Sequence, residues 1–320
     1  MVHLDDIRAA RERIRPHVHH TPLFQSSYLD RRLGATIAIK AESLQKTGSY
    51  KPRGVVNRLT ELTTEERERG VVTVSAGNHA QAAAYACARE SIPCAVVMPS
   101  HAPEVKIEAT RGYGADVVLH DDMRSLFQRC EELRAERQAT FVHPFDHPAT
   151  IAGAGTTGLE ILEDFADVDT ILCGIGGGGL IAGVARAARS LAPAARVIGV
   201  EPEGAPTMSR ALEAGEPVRL TEIDSIADGL CAPFAGDLNL EIVQQDVDSI
   251  VLVDDHDILA AMDVYFERLK LVVEPAGAAA LAALLANKVP SLGSRVCVIA
   301  SGGNLDVMRY ASWRESAPRT

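Results

Sequence analysis

Short runs of aliphatic and β-branched residues recur along the whole chain, and stretches with helical character separate them. The runs 36–40, 71–74, 94–98, 117–120, 140–143, 170–173, 197–200, 250–253 and 296–300 read as strands. Segments 53–62, 79–90, 103–111, 122–137, 180–191, 257–271 and 275–285 read as helices, the one at 103 with proline in its first turn. Near-continuous apolar strands alternating with helices demand a sheet buried on both faces, so an α/β fold with mostly parallel strands follows. Hydrophobic residues make up 47% of the 320-residue chain and aromatics only 4%. The abundant alanine suits helices packed closely on a sheet and argues against a β-sandwich.

The units fall into two groups. Residues 70–146 hold four β/α repeats, enough for a small open-sheet domain, and residues 1–69 and 147–320 would form a larger domain from both chain ends. The net charge of −11 and the isoelectric point near 5.4 disfavour nucleic acid and anionic membrane as partners. No apolar stretch approaches the roughly 20 residues of a membrane span, and the start Met1-Val2-His3-Leu4 has no signal-peptide character, which points to the cytoplasm. Cys87, Cys94, Cys130, Cys173, Cys231 and Cys297 form no C-x-x-C pair and read as buried free thiols.

Four short motifs carry the chemistry. Lys51 stands in Ser49-Tyr50-Lys51-Pro52-Arg53-Gly54 at a helix start. Alone it reads as a surface lysine. Ser75, Ala76, Gly77, Asn78 and His79 link the strand 71–74 to the next helix, where backbone amides can hold a carboxylate; a plain N-cap is the simpler reading of the same residues. Gly176, Gly177, Gly178 and Gly179 follow the strand 170–173 and open a helix at Leu180. Residues without side chains let backbone N–H groups and a helix N-terminus approach a phosphate. Ser301 ends the last apolar strand, at the sheet edge where open α/β folds bind ligands. The glycine segment from Gly174 also satisfies G-x-G-x-x-G, and Glu201 ends the following strand, so an NAD-dependent oxidoreductase is the rival from another class. That rival leaves the other three motifs unexplained. The run His17-x-His19-His20 has no acidic or cysteine partner spacing and reads as a solvated loop.

In this order and at these separations the four motifs resemble the fold-type II pyridoxal-phosphate enzymes, in particular the threonine/serine dehydratase and serine racemase branch, over 21–304. The resemblance implies a tryptophan synthase β-like fold of two open, mostly parallel sheets, the small domain inserted into the large one. Some members carry a C-terminal regulatory domain, for which the short tail after Tyr310 leaves no room. It implies Lys51 as the residue that binds the cofactor aldehyde and then serves as general base, with Tyr50 walling the ring. Asn78 would contact the ring hydroxyl, the glycine loop with Leu180 the phosphate, Ser301 the pyridine nitrogen and the loop 75–79 the substrate carboxylate. In the racemases a divalent cation is held by a glutamate matching Glu201, a carbonyl matching Ala205 and an acid where this chain has Thr207, so a metal is doubtful here.

The racemases also carry a serine where this chain has Ala76, and that hydroxyl protonates the second face of the substrate. Its loss, with Phe145 in a dehydratase-like His143-Pro144-Phe145-Asp146, favours a dehydratase that releases a 2-oxo acid and ammonia from a 3-hydroxy amino acid such as L-threonine or L-serine. Tyr50, Pro52 and Ala154 depart from the commoner pattern and keep other substrates open: a hydroxyaspartate, a phenylserine or a hydroxyectoine-derived amino acid. A serine or aspartate racemase and a β-replacement synthase remain alternatives, and a homodimer or homotetramer is expected.

Overall fold

The computed structural model describes residues 1–122 and 124–316. Its strands are β1 (Leu23–Gln25), β2 (Thr36–Ala41), β3 (Val71–Val74), β4 (Cys94–Pro99), β5 (Asp116–His120), β6 (Thr140–Phe141), β7 (Thr170–Gly174), β8 (Arg196–Pro202), β9 (Ser249–Val253) and β10 (Arg295–Ala300). They form two sheets. One has six strands in the order β1-β2-β10-β7-β8-β9, and the other has four in the order β5-β4-β3-β6. All neighbours are parallel except β1 and β2. The apolar strands are buried as their composition requires: every residue of β3, β4 and β7 is buried, whereas no residue of the edge strand β5 is.

The order within each sheet creates the site. In the larger sheet the chain winds outward from β7 through β8 to β9, then returns to lay β10 on the other side of β7. In the smaller sheet it winds from β3 through β4 to β5, then places β6 on the other side of β3. Loops leaving adjacent strands at such a reversal diverge and open a crevice at the carboxyl edge. The loops after β3 and β6 carry Ser75 and Pro144, and those after β7 and β10 carry Gly176 and Ser301.

Several elements differ from the sequence reading. The strand expected at 140–143 ends at Phe141, two residues before His143-Pro144, and proline has no N–H to continue a ladder. The helix expected at 257–271 starts at Asp255 and gives way to a π-turn, Tyr265–Leu269, closed by Lys270 at φ 59°. The helix expected from 122 runs Leu126–Arg137, and Pro103 lies just before the helix Glu104–Gly112 as its N-cap. The tail after β10 contains a helix, Val307–Ser316.

The longest helix, Pro148–Asp164, is absent from the sequence reading because Ala152-Gly153-Ala154-Gly155-Thr156-Thr157-Gly158 looks like a loop. Its glycines are packing surfaces. A Cβ on Gly155 would lie 2.9 Å from the Gly183 carbonyl oxygen, and one on Gly153 would collide with the backbone of Arg53. The helix thus lies directly against Lys51–Leu59 and Gly179–Leu191, the two helices whose first turns enter the site.

Candidate active site

Lys51 is the first residue of the helix Lys51–Leu59, and Pro52 suits a first turn because its missing N–H has no partner there. Beneath it is a buried ionic network. Arg53 is fully buried and forks to Glu42 at 2.8 Å and to Glu160 at 2.7 and 2.8 Å, with Thr156 at 3.1 Å. Lys40, also fully buried, reaches Glu160 at 2.6 Å and the Thr21 carbonyl at 2.8 Å. Burial alone would raise the Glu160 carboxyl, but the bonds from Arg53 and Lys40 hold it below its ordinary value.

The Lys51 Nζ donates to the Pro144 carbonyl at 3.1 Å, after β6, and lies 5.1 Å from the Tyr50 ring centre. Burial pulls its pKa down to about 8, against a smaller opposing pull from Glu274. His79 and His143 are held neutral, His79 well below the usual range and His143 at about 4, by burial first and then by the nearby Lys51.

The glycine segment turns between β7 and the helix Gly179–Leu191. Gly178 sits at φ +97°, where a Cβ would also lie 2.6 Å from Met208 Cε, so only glycine fits. Among the described residues no backbone or side-chain acceptor takes the amides of Gly176, Gly177, Gly178 or Gly179. Those amides and the helix N-terminus can bind an anion. Asn239 fixes the loop by donating to the Gly177 carbonyl at 2.8 Å.

Ser301 follows β10 and is buried, and its carbonyl accepts from the Tyr50 amide at 3.1 Å. Asn78 begins the helix Asn78–Arg89. Its amide group is held at both ends, donating to Glu274 and accepting from Asn304 at 2.9 Å. The Ser75 hydroxyl accepts from the Gly77 amide at 3.1 Å, and Ala76 is exposed. Tyr50, Lys51, Ser75, Ala76, Gly77, Asn78, His79, Gly176, Gly177, Gly178, Leu180 and Ser301 all line one cavity of about 1010 Å³. Gly179 lies behind that surface, where a Cβ would meet the Phe145 carbonyl at 2.7 Å.

Glu201 and Ala205 do not join them. The Glu201 carboxylate accepts from the Met208 and Ser209 amides at 2.6 and 3.0 Å and from the Ser209 hydroxyl at 2.6 Å. It caps the helix Thr207–Ala214, and the Ala205 carbonyl accepts from the Thr207 amide at 2.9 Å. Both groups are engaged within the protein. His17 and His20 point to separate partners, Arg89 and Asp164.

Five charged residues in the cavity wall were not found from sequence, Lys106, Arg124, Arg219, Asp228 and Glu274, and three of them interact. Glu274 is 1% exposed, and burial raises its pKa to about 7. Its Oε2 is buried without a hydrogen-bond partner and lies 3.9 Å from the Lys106 ammonium, which also reaches Asp228 at 2.6 Å. The only sequence signal was a lone acid among apolar residues, Val272-Val273-Glu274-Pro275.

These residues suit a phosphorylated aldehyde: a readily deprotonated amine, free amides at a helix start, a buried hydroxyl and an oriented amide around one cavity. A family model described as "Pyridoxal-phosphate dependent enzyme" matches residues 14–302. The chain belongs to the pyridoxal-phosphate-dependent enzymes. Pyridoxal phosphate is the cofactor of this family, and its fold-type II members share the two-sheet architecture described above. An L-threonine ammonia-lyase of Thermotoga maritima is 43% identical over 96% of this chain and 77% of its own. An L-threo-3-hydroxyaspartate ammonia-lyase of Saccharomyces cerevisiae is 38% identical over 98% of this chain and 97% of its own. The solved structure of maize serine racemase superposes with a TM-score of 0.93 at 39% identity, covering 98% of each chain. Family membership removes the dinucleotide alternative. Among the described residues no helix is long and apolar enough to cross a membrane.

Proposed function

We propose that this protein is a pyridoxal-phosphate-dependent ammonia-lyase that converts a 3-hydroxy amino acid to a 2-oxo acid and ammonia. The observation that carries this reading is the convergence on one cavity of Lys51, with its pKa near 8, and a facing loop that has alanine, not a hydroxyl, at position 76. Pyridoxal phosphate, when bound, supplies an aldehyde for an amine and a ring that accepts electrons from the substrate α-carbon.

The chain's residues supply the rest. The free amides of the glycine loop hold the phosphate, and the loop 75–79 at its helix start holds the substrate carboxylate. The Lys51 Nζ would hold the cofactor aldehyde, and as a neutral amine it would take the substrate α-proton. Ser301 offers the ring nitrogen a neutral hydroxyl, which cannot hold a proton there as a carboxylate would. Asn78, clamped by Glu274 and Asn304, would offer the cofactor ring a fixed amide. Nothing at position 76 can deliver a proton to the opposite face, which separates this reading from a racemase.

The test is purified protein with L-threonine and L-serine, scored for 2-oxo acid, ammonia and D- or allo-isomer. Elimination is expected to dominate, and Lys51→Ala is expected to abolish it. Inversion as the main outcome would overturn the lyase reading.

A further inference from the structure

The chain has seven phenylalanines, and four of them form a connected run of rings, of which Phe127 and Phe145 line the cavity and Phe141 and Phe234 stand behind them. The ring of Phe141 lies 5.6 Å from that of His143, which lies 4.7 Å from Phe145. Phe145 is 5.8 Å from Phe234, and Phe234 is 5.4 Å from Phe127. The interplanar angles, 82°, 87°, 62° and 54°, are edge-to-face or tilted throughout. The Arg219 guanidinium closes the outer end 4.9 Å from the Phe234 ring centre.

This is not a local accident of sequence. Phe127 comes from the helix Leu126–Arg137, Phe145 from the loop after β6, and Phe234 from the loop before the helix Asp237–Asp246. Phe145 is buried, but Phe127 and Phe234 are only half-buried. Leu126, Leu220, Ile223 and Pro233 continue the apolar lining. In a chain this poor in aromatics, a half-buried ring that lines a cavity, as Phe127 does with Phe234 packed on it, marks a surface awaiting an apolar partner.

The wall also starts in the right place. Phe145 follows Pro144, whose carbonyl holds the Lys51 ammonium at 3.1 Å, and the rings lead away from there. The cavity of about 1010 Å³ has to hold the cofactor together with the substrate. A threonine methyl group is too short to use the length of such a wall, whereas an aryl group can join it edge-on. Of the cations in the lining, Lys106 is taken by Asp228 and Glu274, Arg219 is stacked on Phe234, and Arg124 is exposed to solvent, so the hydroxyaspartate arm of the experiment below tests a second carboxylate directly.

We propose that Phe127, backed by Phe234, forms the subsite for an aromatic β-substituent, so that the enzyme prefers 3-aryl-3-hydroxy amino acids such as threo-3-phenylserine to L-threonine. The inference rests on the lyase activity proposed above. The Cα–H and Cβ–O bonds break and Cα=Cβ forms, with the proton and hydroxide leaving as water. The released enamine tautomerises to an imine, takes up water and loses ammonia. Phenylserine thus gives phenylpyruvate and ammonia with no oxidant or reductant.

The experiment measures kcat/KM of the holoenzyme for threo-3-phenylserine, L-threonine and L-threo-3-hydroxyaspartate. Phenylserine is expected to exceed threonine by at least about tenfold. In Phe127→Ala and Phe234→Ala its kcat/KM falls about tenfold, while that for threonine stays within about threefold. Phe127→Leu and Phe234→Leu, which keep apolar volume, guard against misfolding and are expected to show the same change in ratio more weakly. A second readout is calorimetric titration of the holoenzyme with 3-phenylpropionate and propionate, where the wild type favours the former and the alanine variants lose the difference. Higher kcat/KM for threonine or hydroxyaspartate, or variants that lower all substrates equally, would overturn the subsite. Failure to turn over any of the three substrates would overturn the lyase reading instead, and the titration would still decide whether the aromatic wall binds an aryl group.

Discussion

The most direct consequence of the site's electrostatics concerns how the protein takes up its cofactor. Only a neutral amine attacks an aldehyde. An ordinary lysine, with a pKa near 10.5, is neutral at pH 7 in only about 0.03% of molecules. With the Lys51 pKa at about 8, burial being the main cause, the neutral share rises to roughly 9% by the same relation. Protonation therefore gives Lys51 an advantage of about 300-fold at neutral pH. The assay is stopped-flow mixing of apo-protein with pyridoxal phosphate, following the visible band of the bound cofactor. The rate constant should rise about tenfold per pH unit in acid and level off near pH 8. Glu274 acts in the opposite direction to burial, because its negative charge favours the Lys51 ammonium. Glu274→Gln removes that charge, so the break should move to lower pH. A rate still climbing tenfold per unit beyond pH 9, or a break that moves up in Glu274→Gln, would refute the argument.

Other perturbations test the framework around the lysine. Arg53→Met leaves the buried carboxylates of Glu42 and Glu160 without their fork; a broken buried pair costs about 3–5 kcal/mol, which should lower Tm by about 5–7 °C in calorimetry. Adding Glu42→Gln and Glu160→Gln should restore part of that loss. Gly178→Ala forces a side chain to φ +97° and against Met208 and Asn239, so cofactor affinity measured by equilibrium dialysis should fall at least about tenfold. His143 and His147 have folded pKa values of about 4 against an ordinary 6.5, with burial the main cause in each. A histidine kept neutral by folding adds stability above its unfolded pKa and loses it as pH falls, so Tm should decline between about pH 6.5 and 4. His147→Asn should flatten that decline.

Most of the fold was legible because its strands are buried on both faces. β3 and the helix Pro275–Leu285 coincide with their apolar runs, since all of β3 and all of the helix but Leu285 are buried and their composition records that. Legibility failed where tertiary contacts decide. The helix Pro148–Asp164 carries glycines that weaken an isolated helix, yet they let it approach two neighbours closely enough to share backbone contacts. The short helices Ser27–Leu33 and Thr64–Arg69 have good caps, at Ser26 and Thr63, but too few turns for an apolar period to stand out. The edge strand β1 has only three residues and pairs antiparallel to β2, outside the β/α rhythm that identified the others.

The site divides along the same line. Its glycine loop, lysine and terminal serine were legible because their chemistry needs backbone space or a particular group at the end of an element. Glu274 was not, because everything that defines it is remote. It holds Asn78, 196 residues away in sequence, and faces Lys106 and, through it, Asp228. Its surroundings oppose ionisation through burial and favour it through Lys106, leaving its pKa near 7 and its Oε2 without a bonded partner. The residue thus joins the loop after β3 to the lysine that reaches across from the helix Glu104–Gly112. A carboxyl balanced in this way changes charge within the same pH range as Lys51, so the states of the two groups are coupled. Such coupling belongs to the three-dimensional arrangement of four charged groups, and no spacing along the chain encodes it.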